Sequence, residues 1–283
     1  MSVATRSSIG RSAAPPAVPS RAASLRAVVR RGLVDHRGAP LSWGGSLGAF
    51  GALIALIWPS VEGSVSELME SYPEDLKEAF NITELSSVEQ YVDAELLSLI
   101  VPLAVAFLAV RCVTRAISGA EEQRWLDTLL AIPLSREMLV AGTFAVTAVV
   151  VAVVLAVTTL LTTLAGVVVG ADPSLLTIAR GMGNVWPLAM FFAGLATLAS
   201  GWLHRAAPVT AIAAGTLVAM YLVDVLGKIA DPIEPLRWAS AFRYYGSAVR
   251  DGIDPLAFAG LTAAAVLLAV VGALLFGRRD VLA

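Results

Sequence analysis

The sequence predicts an all-α integral membrane protein with six transmembrane helices, a basic N-terminal interfacial helix and a short charged helix between the second and third spans. Three observations carry this. Of 283 residues, 57% are hydrophobic and only 15% charged; with a mean hydropathy of +0.77 the chain is too apolar for a water-soluble domain. Runs at 41–58, 95–117, 138–169, 185–203, 207–226 and 255–276 each hold roughly 18 or more mostly apolar residues, enough to cross a hydrocarbon layer about 30 Å thick. The charges also divide by sign along the chain, although the formal net charge is only -2.

That division sets an expected orientation, because Lys and Arg near span ends are retained in the cytoplasm. The N-terminal part carries Arg6, Arg11, Arg21, Arg26, Arg30, Arg31 and Arg37 against the single acid Asp35, whereas the segment after the first span has Lys77 as its one cation among many carboxylates. The first belongs inside and the second outside. An even number of spans returns the C-terminus, with Arg278 and Arg279, to the cytoplasm. The loop between the fifth and sixth spans argues back, with Lys228, Arg237, Arg243 and Arg250 on the outer side, balanced by Asp231, Glu234, Asp251 and Asp254.

Residues 1–20 are rich in Ser, Ala, Pro and Arg and have no apolar core, so they read as a disordered cytoplasmic tail and not a signal peptide. From 21 to 38, Leu25, Val28, Val29 and Leu33 share one helical face and Arg26, Arg30 and Arg31 the other, the pattern of a helix lying in the inner interface or of a cytoplasmic extension of the first span. The transmembrane domain then occupies 39–283. In its first span Gly44, Gly48 and Ala52 recur every four residues, and in its fifth Ala207, Ala211, Gly215 and Ala219 do the same. Small residues at that spacing admit a close helix, which makes both stripes candidates for a subunit interface as well as for packing within one bundle.

The outer segment 59–94 has helical apolar spacing and a capping box at Ser87 and Gln90; it reads as a helix flat on the outer surface with a solvated acidic face. Pro102 predicts a kink in the second span. Thr158, Thr159, Thr162 and Thr163 gather in the outer half of the third span, where they line a polar substrate path or bond to their own backbone. Asp172 with Pro173 reads as the start of a short outer helix, and Asp254 with Pro255 as the start of the last span. Asp224 and Lys228 are placed to pair. The aromatics Trp238, Phe242, Tyr244 and Tyr245 within 228–254 predict a hairpin dipping into the outer leaflet or anchoring at the headgroups.

Between the second and third spans, Trp125, Leu126, Leu129, Leu130 and Ile132 fall on one helical face and Glu121, Glu122, Arg124 and Asp127 largely on the other. Pro133 stops this helix and Ser135 with Arg136 opens the next. A short helix fused at both ends to spans turns a push from a soluble partner into a tilt of those spans. Chemistry of its own is not expected of the chain. It has no GxxxxGK[ST] loop and only two lysines, Lys77 and Lys228; its two histidines, His36 and His204, are too few and too separated for a metal cluster. Cys112 has no partner for a disulfide. The Glu121–Glu122 pair lacks the downstream histidines that an intramembrane protease needs, and nothing in the charge distribution points to nucleic acid.

These residues together resemble the type-2 permease family of ATP-binding-cassette (ABC) exporters. The likeness rests on 121–136 running into Gly142, with its glutamate, paired leucines, proline and arginine, on the basic opening helix, on the six-span layout, on the aromatic outer hairpin and on the closing Phe276-Gly277-Arg278-Arg279-Asp280. The Gly-Thr that usually follows the glutamate is replaced by Arg124-Trp125, and no lysine follows Gly142. The resemblance implies that 118–133 is a coupling helix docking into a groove on a separate nucleotide-binding ATPase subunit. Glu121, Glu122, Trp125, Leu126, Asp127, Leu129, Leu130, Pro133 and Arg136 would carry that contact. It further implies a second permease chain, identical or homologous, ATP and Mg held by the partner ATPase with no cofactor on this chain, and a multi-pass location in a bacterial cell membrane. Two other functions fit the same sequence: a non-transporting mechanotransmission or anchoring subunit, which would favour a large outer domain, and a secondary transporter, which would favour an inverted repeat with broken charged helices.

Overall fold

The computed structural model describes residues 21–71, 87–122 and 135–278. Six helices among them are long and apolar enough to cross a membrane: Pro40–Gly63, Ile100–Glu122, Arg136–Val168, Leu175–Trp202, Ala206–Leu226 and Pro255–Arg278. No strand occurs among the described residues, as expected where lipid offers the backbone no partner and each segment must satisfy its own N–H and C=O groups. The chain is an all-α multi-pass membrane protein. Its helices are α1 (Arg21–Asp35), α2 (Gly45–Ser71), α3 (Val88–Val92), α4 (Ile100–Ala116), α5 (Ser118–Glu122), α6 (Arg136–Val168), α7 (Leu175–Trp202), α8 (Ala206–Ile229), α9 (Ala241–Tyr245) and α10 (Pro255–Arg278). The bundle has a basic end, with α1 and Arg136, and an acidic end, with Asp93 and Asp254.

The basic helix stands along α6 rather than across it. A Cβ on Gly142 would lie 2.6 Å from Val28 Cγ1, and one on Gly32 2.8 Å from Val146 Cγ2. The same ladder continues along the first span, where Gly44 meets Val157 and Gly48 meets Leu161. Contacts advance at the same pace on both sides, as in two helices packed side by side and parallel. Backbone bonds from His36 N to Gly32 O (3.1 Å), Ala39 N to His36 O (2.9 Å) and Ser42 N to Gly38 O (2.9 Å) carry α1 into the π-turn Pro40–Gly44 and on into α2. Of the two arrangements open to this helix, the geometry is that of an extension of the first span. At the far end α2 runs past Pro59 to Ser71, so the start of the acidic segment prolongs the first span; residues 72–86 lie outside the described residues.

Two sequence expectations are corrected here. Pro102 lies in the first turn of α4, where a missing N–H removes no helical bond. The irregularity falls just ahead of it, in the π-turn Asp93–Leu97 and at Leu99, whose φ is -139°. Nor do Asp172 and Pro173 open a short outer helix. Asp172 takes a left-handed φ of 46° in a tight turn with Gly170 (φ 74°), and Ser174 caps α7, accepting from Thr177 N at 3.3 Å. The fourth span therefore begins at Leu175, one long helix through Pro187.

The other caps are as read: Ser87 accepts from Gln90 N (3.4 Å), and Asp254 Oδ1 accepts from Leu256 N (2.9 Å) and Ala257 N (3.3 Å). Lipid is as apolar as a leucine side chain, so spans associate through close packing and hydrogen bonds rather than through water exclusion. Helices α7 and α10, which run the same way, meet at glycines: a Cβ on Gly194 would lie 2.5 Å from Ala265 O, and one on Gly272 2.6 Å from Thr197 O. Trp186 Nε1 donates to Ala148 O (3.0 Å), and Ser118 Oγ to Ser200 Oγ (3.1 Å).

Candidate functional site

At the basic end, α5 follows the second span almost without interruption and closes on Glu121 and Glu122. Glu122 Oε2 accepts from Ala206 N (3.4 Å), the first residue of α8. A carboxylate at a helix N-terminus meets the positive end of its dipole and an unpaired N–H. The tip of the second span is thus tied to the root of the fifth, and Thr210 Oγ1 to Thr114 Oγ1 (3.3 Å) adds a second tie one turn in. On the other side, Ser135 caps α6 by accepting from Met138 N (3.3 Å), with Arg136 next to it. Trp125, Leu126, Asp127, Leu129, Leu130 and Pro133 lie outside the described residues, so the geometry fixes the two ends of the charged segment. Both ends lead directly into spans. Its ends are joined to three of them: to the second through α5, to the third through Arg136, and to the fifth through Glu122.

The two small-residue stripes separate. Gly44 and Gly48 face Val157 and Leu161 of the third span, and Ala52 is half-buried; this stripe is a packing face inside the bundle. On α8, by contrast, Ala207, Ala211, Gly215 and Ala219 are all exposed while Val209, Ala213 and Leu217 point inward, and a Cβ on Gly215 would meet nothing within 4 Å.

The four threonines are buried, Thr158 and Thr162 in the same contact as the first-span glycines. Thr158 donates to Val154 O (3.0 Å) and Thr159 to Leu155 O (2.8 Å). Thr162 abuts Gly51, and the Thr162 and Thr163 hydroxyls are buried without a partner among the described residues. A groove of about 670 Å³ lies between α6, α7 and α10, walled by small residues such as Ala156 and Gly183 and by Trp186 and Phe258, whose rings stack at 6.4 Å. Only Thr159 of the four borders it.

The acidic end holds the charges that the sequence left unexplained. Asp224, buried on the fifth span, takes Lys228 Nζ at 2.7 Å and Arg237 Nε at 3.1 Å. The Arg237 stem lies against Gly227, where a Cβ would come within 2.4 Å of it. Arg250 reaches Asp93 at 3.6 Å, and Arg243 lies 3.8 Å over the Trp238 ring. All four cations of this loop are thereby engaged within the chain. Lys228 was legible from its spacing to Asp224; Arg237 was not, because its approach depends on the turn between them.

The aromatic segment folds back onto the spans. Ser240 Oγ donates to Met220 O (2.7 Å), and Phe242 is buried against Phe192 and Tyr221 at ring distances of 6.1 and 5.4 Å. Tyr245 donates to Leu97 O (3.1 Å) and accepts on its carbonyl from Asn184 Nδ2 (2.5 Å); burial, and then the Asp93 charge, push its phenol well above the ordinary tyrosine range. Trp238, at 63% exposure, remains outside.

Among the described residues no three His, Cys, Asp or Glu are grouped as a metal ion would need. No curated protein matches the sequence. A family model described as multidrug efflux system permease Rv1217c, C-terminal domain, matches residues 32–277, a stretch that includes all six spans, both ends of the charged segment and the folded-back aromatic loop. A permease of an efflux system is a transport subunit that works with partner subunits. The chain therefore belongs to the family of the C-terminal domain of the multidrug efflux system permease Rv1217c.

Proposed function

We propose that this chain is the membrane half of an ABC exporter, moving apolar or amphipathic compounds outward with energy from ATP and Mg bound on a separate ATPase subunit. The observation that carries this reading is the junction at 121–136. A charged amphipathic segment is continuous with the second and third spans and tied through Glu122 to Ala206 of the fifth. A soluble ATPase pressing on Trp125, Leu126 and Leu129, with Asp127 and the flanking Glu121 and Arg136 as polar contacts, moves three spans at once. Leu130 and Pro133 complete the helix and its stop.

The working unit on this reading contains two permease chains, paired through Ala207, Ala211, Gly215 and Ala219 of α8, which are exposed among the described residues. The substrate path runs at or beside that seam. The basic end is cytoplasmic and the acidic end outside, in the cell membrane of a bacterium. The test is dye export from cells expressing the chain with its ATPase, comparing wild type with Leu126→Asp. Loss of export with normal membrane insertion is expected; undiminished export removes the docking face.

A further inference from the structure

We propose that the flank of α1 binds one anionic phospholipid from the leaflet at the basic end, with the phosphate held by Arg26, Arg30 and Arg37 and an acyl chain laid along Leu25, Val29 and Leu33. These six residues line a groove of about 570 Å³. Leu25, Val29 and Leu33 follow one another at four-residue spacing, and Arg26 and Arg30 form the adjacent row. Val28 and Gly32 seat the helix on α6, with Leu25 at the edge of that contact and Val29 and Leu33 partly buried beside it. The groove therefore runs along the edge of the contact that holds the helix in place, with the arginine row on its exposed side.

Charge and depth decide the occupant. Arg30 lies at the level between the two points where α1 touches Gly142 and Val146 of the third span, on the exposed side of α1, so its guanidinium sits at the depth of apolar turns of a membrane helix. A cation there needs water, a carboxylate or a lipid phosphate, reached by extending its side chain toward the headgroups. Among the described residues none of Arg26, Arg30 and Arg37 meets a carboxylate, and Asp35, the one acid between 21 and 61, is taken by Arg31 on the opposite flank (3.9 Å). The tail 1–20 cannot fill the groove by charge, since it carries Arg6 and Arg11 and no acid. A phosphodiester with two acyl chains satisfies both rows of residues together.

The site is tested on the delipidated full chain by native mass spectrometry, titrating phosphatidylglycerol against phosphatidylcholine of the same acyl chains. One phosphatidylglycerol per chain is expected to persist where phosphatidylcholine does not. Arg26→Gln/Arg30→Gln/Arg37→Gln should weaken it by roughly tenfold or more, and Val29→Trp, which fills the groove without changing charge, should weaken it too. Arg31→Gln, the same change of charge on the opposite flank, should leave it intact. Should the triple variant not fold, Arg30→Gln against Arg31→Gln carries the comparison. Equal losses in Arg30→Gln and Arg31→Gln would mean diffuse surface charge, displacement by millimolar inorganic phosphate would mean a free-anion site, and equal retention of phosphatidylcholine would mean an unselective groove; each overturns the proposal.

Discussion

Asp224→Asn removes the carboxylate that, among the described residues, holds Arg237 of the aromatic segment against the fifth span. The Asp224 side chain is 5% exposed, its partner Arg237 19% and Lys228 58%. Lys228 turns to water at little cost, so the loss is concentrated in Arg237, whose stem is packed on Gly227. Breaking a buried pair from one side costs about 3–5 kcal/mol; with part of the guanidinium still hydrated, we expect about 2–3 kcal/mol here. That is roughly 30- to 150-fold more chain with residues 234–245 detached. Ser240, 1% exposed, reports the detachment when replaced by cysteine in a Cys112→Ala background and labelled with a membrane-impermeant maleimide. Labelling should accelerate by about that factor in Asp224→Asn. Removing the second charge as well, in Asp224→Asn/Arg237→Gln, should return most of it, because two neutral groups leave no orphaned cation. An unchanged rate in the single variant, or faster labelling in the double, would refute the account of this loop.

Gly142→Val places side-chain carbons where Val28 Cγ1 already sits; overpacking of this kind costs about 1–3 kcal/mol, and limited proteolysis should release α1 from a bundle that otherwise stays folded. Gly272→Val drives a side chain into the Thr197 backbone, which has no rotamer to yield, so a lower melting temperature and reduced yield than for Gly260→Val, where a Cβ meets nothing within 4 Å, are expected. Gly215→Trp leaves the single chain unstrained but blocks a close partner helix; the mass in detergent should fall from two chains to one with no drop in the monomer's melting temperature.

The spans were legible because lipid demands long apolar helices, and 41–58 or 255–276 admit no other use. Boundaries failed where local chemistry was ambiguous. Asp-Pro fits a cap at 173 as well as at 255, and only the left-handed backbone at Asp172 distinguishes them. The two glycine stripes looked alike because spacing tells that a helix approaches, not which helix; Leu161 against Gly48 and open space beside Gly215 are tertiary facts. Arg237 on Asp224, Tyr245 on Leu97 and the Trp186–Phe258 pair join residues far apart in sequence and carry no periodic signal. At the charged segment the balance is reversed: its amphipathic pattern is clear in the sequence, while the structure describes its ends at Glu122 and Ser135.

The claim that this permease is driven from outside the membrane is tested most directly by purifying the tagged chain in mild detergent and assaying what accompanies it. The account predicts a nucleotide-binding ATPase in the complex, released by Leu126→Asp and retained by Gly260→Val. A chain that purifies without an ATPase, or one whose ATPase stays bound and fully active when Leu126 is replaced by Asp, would contradict it.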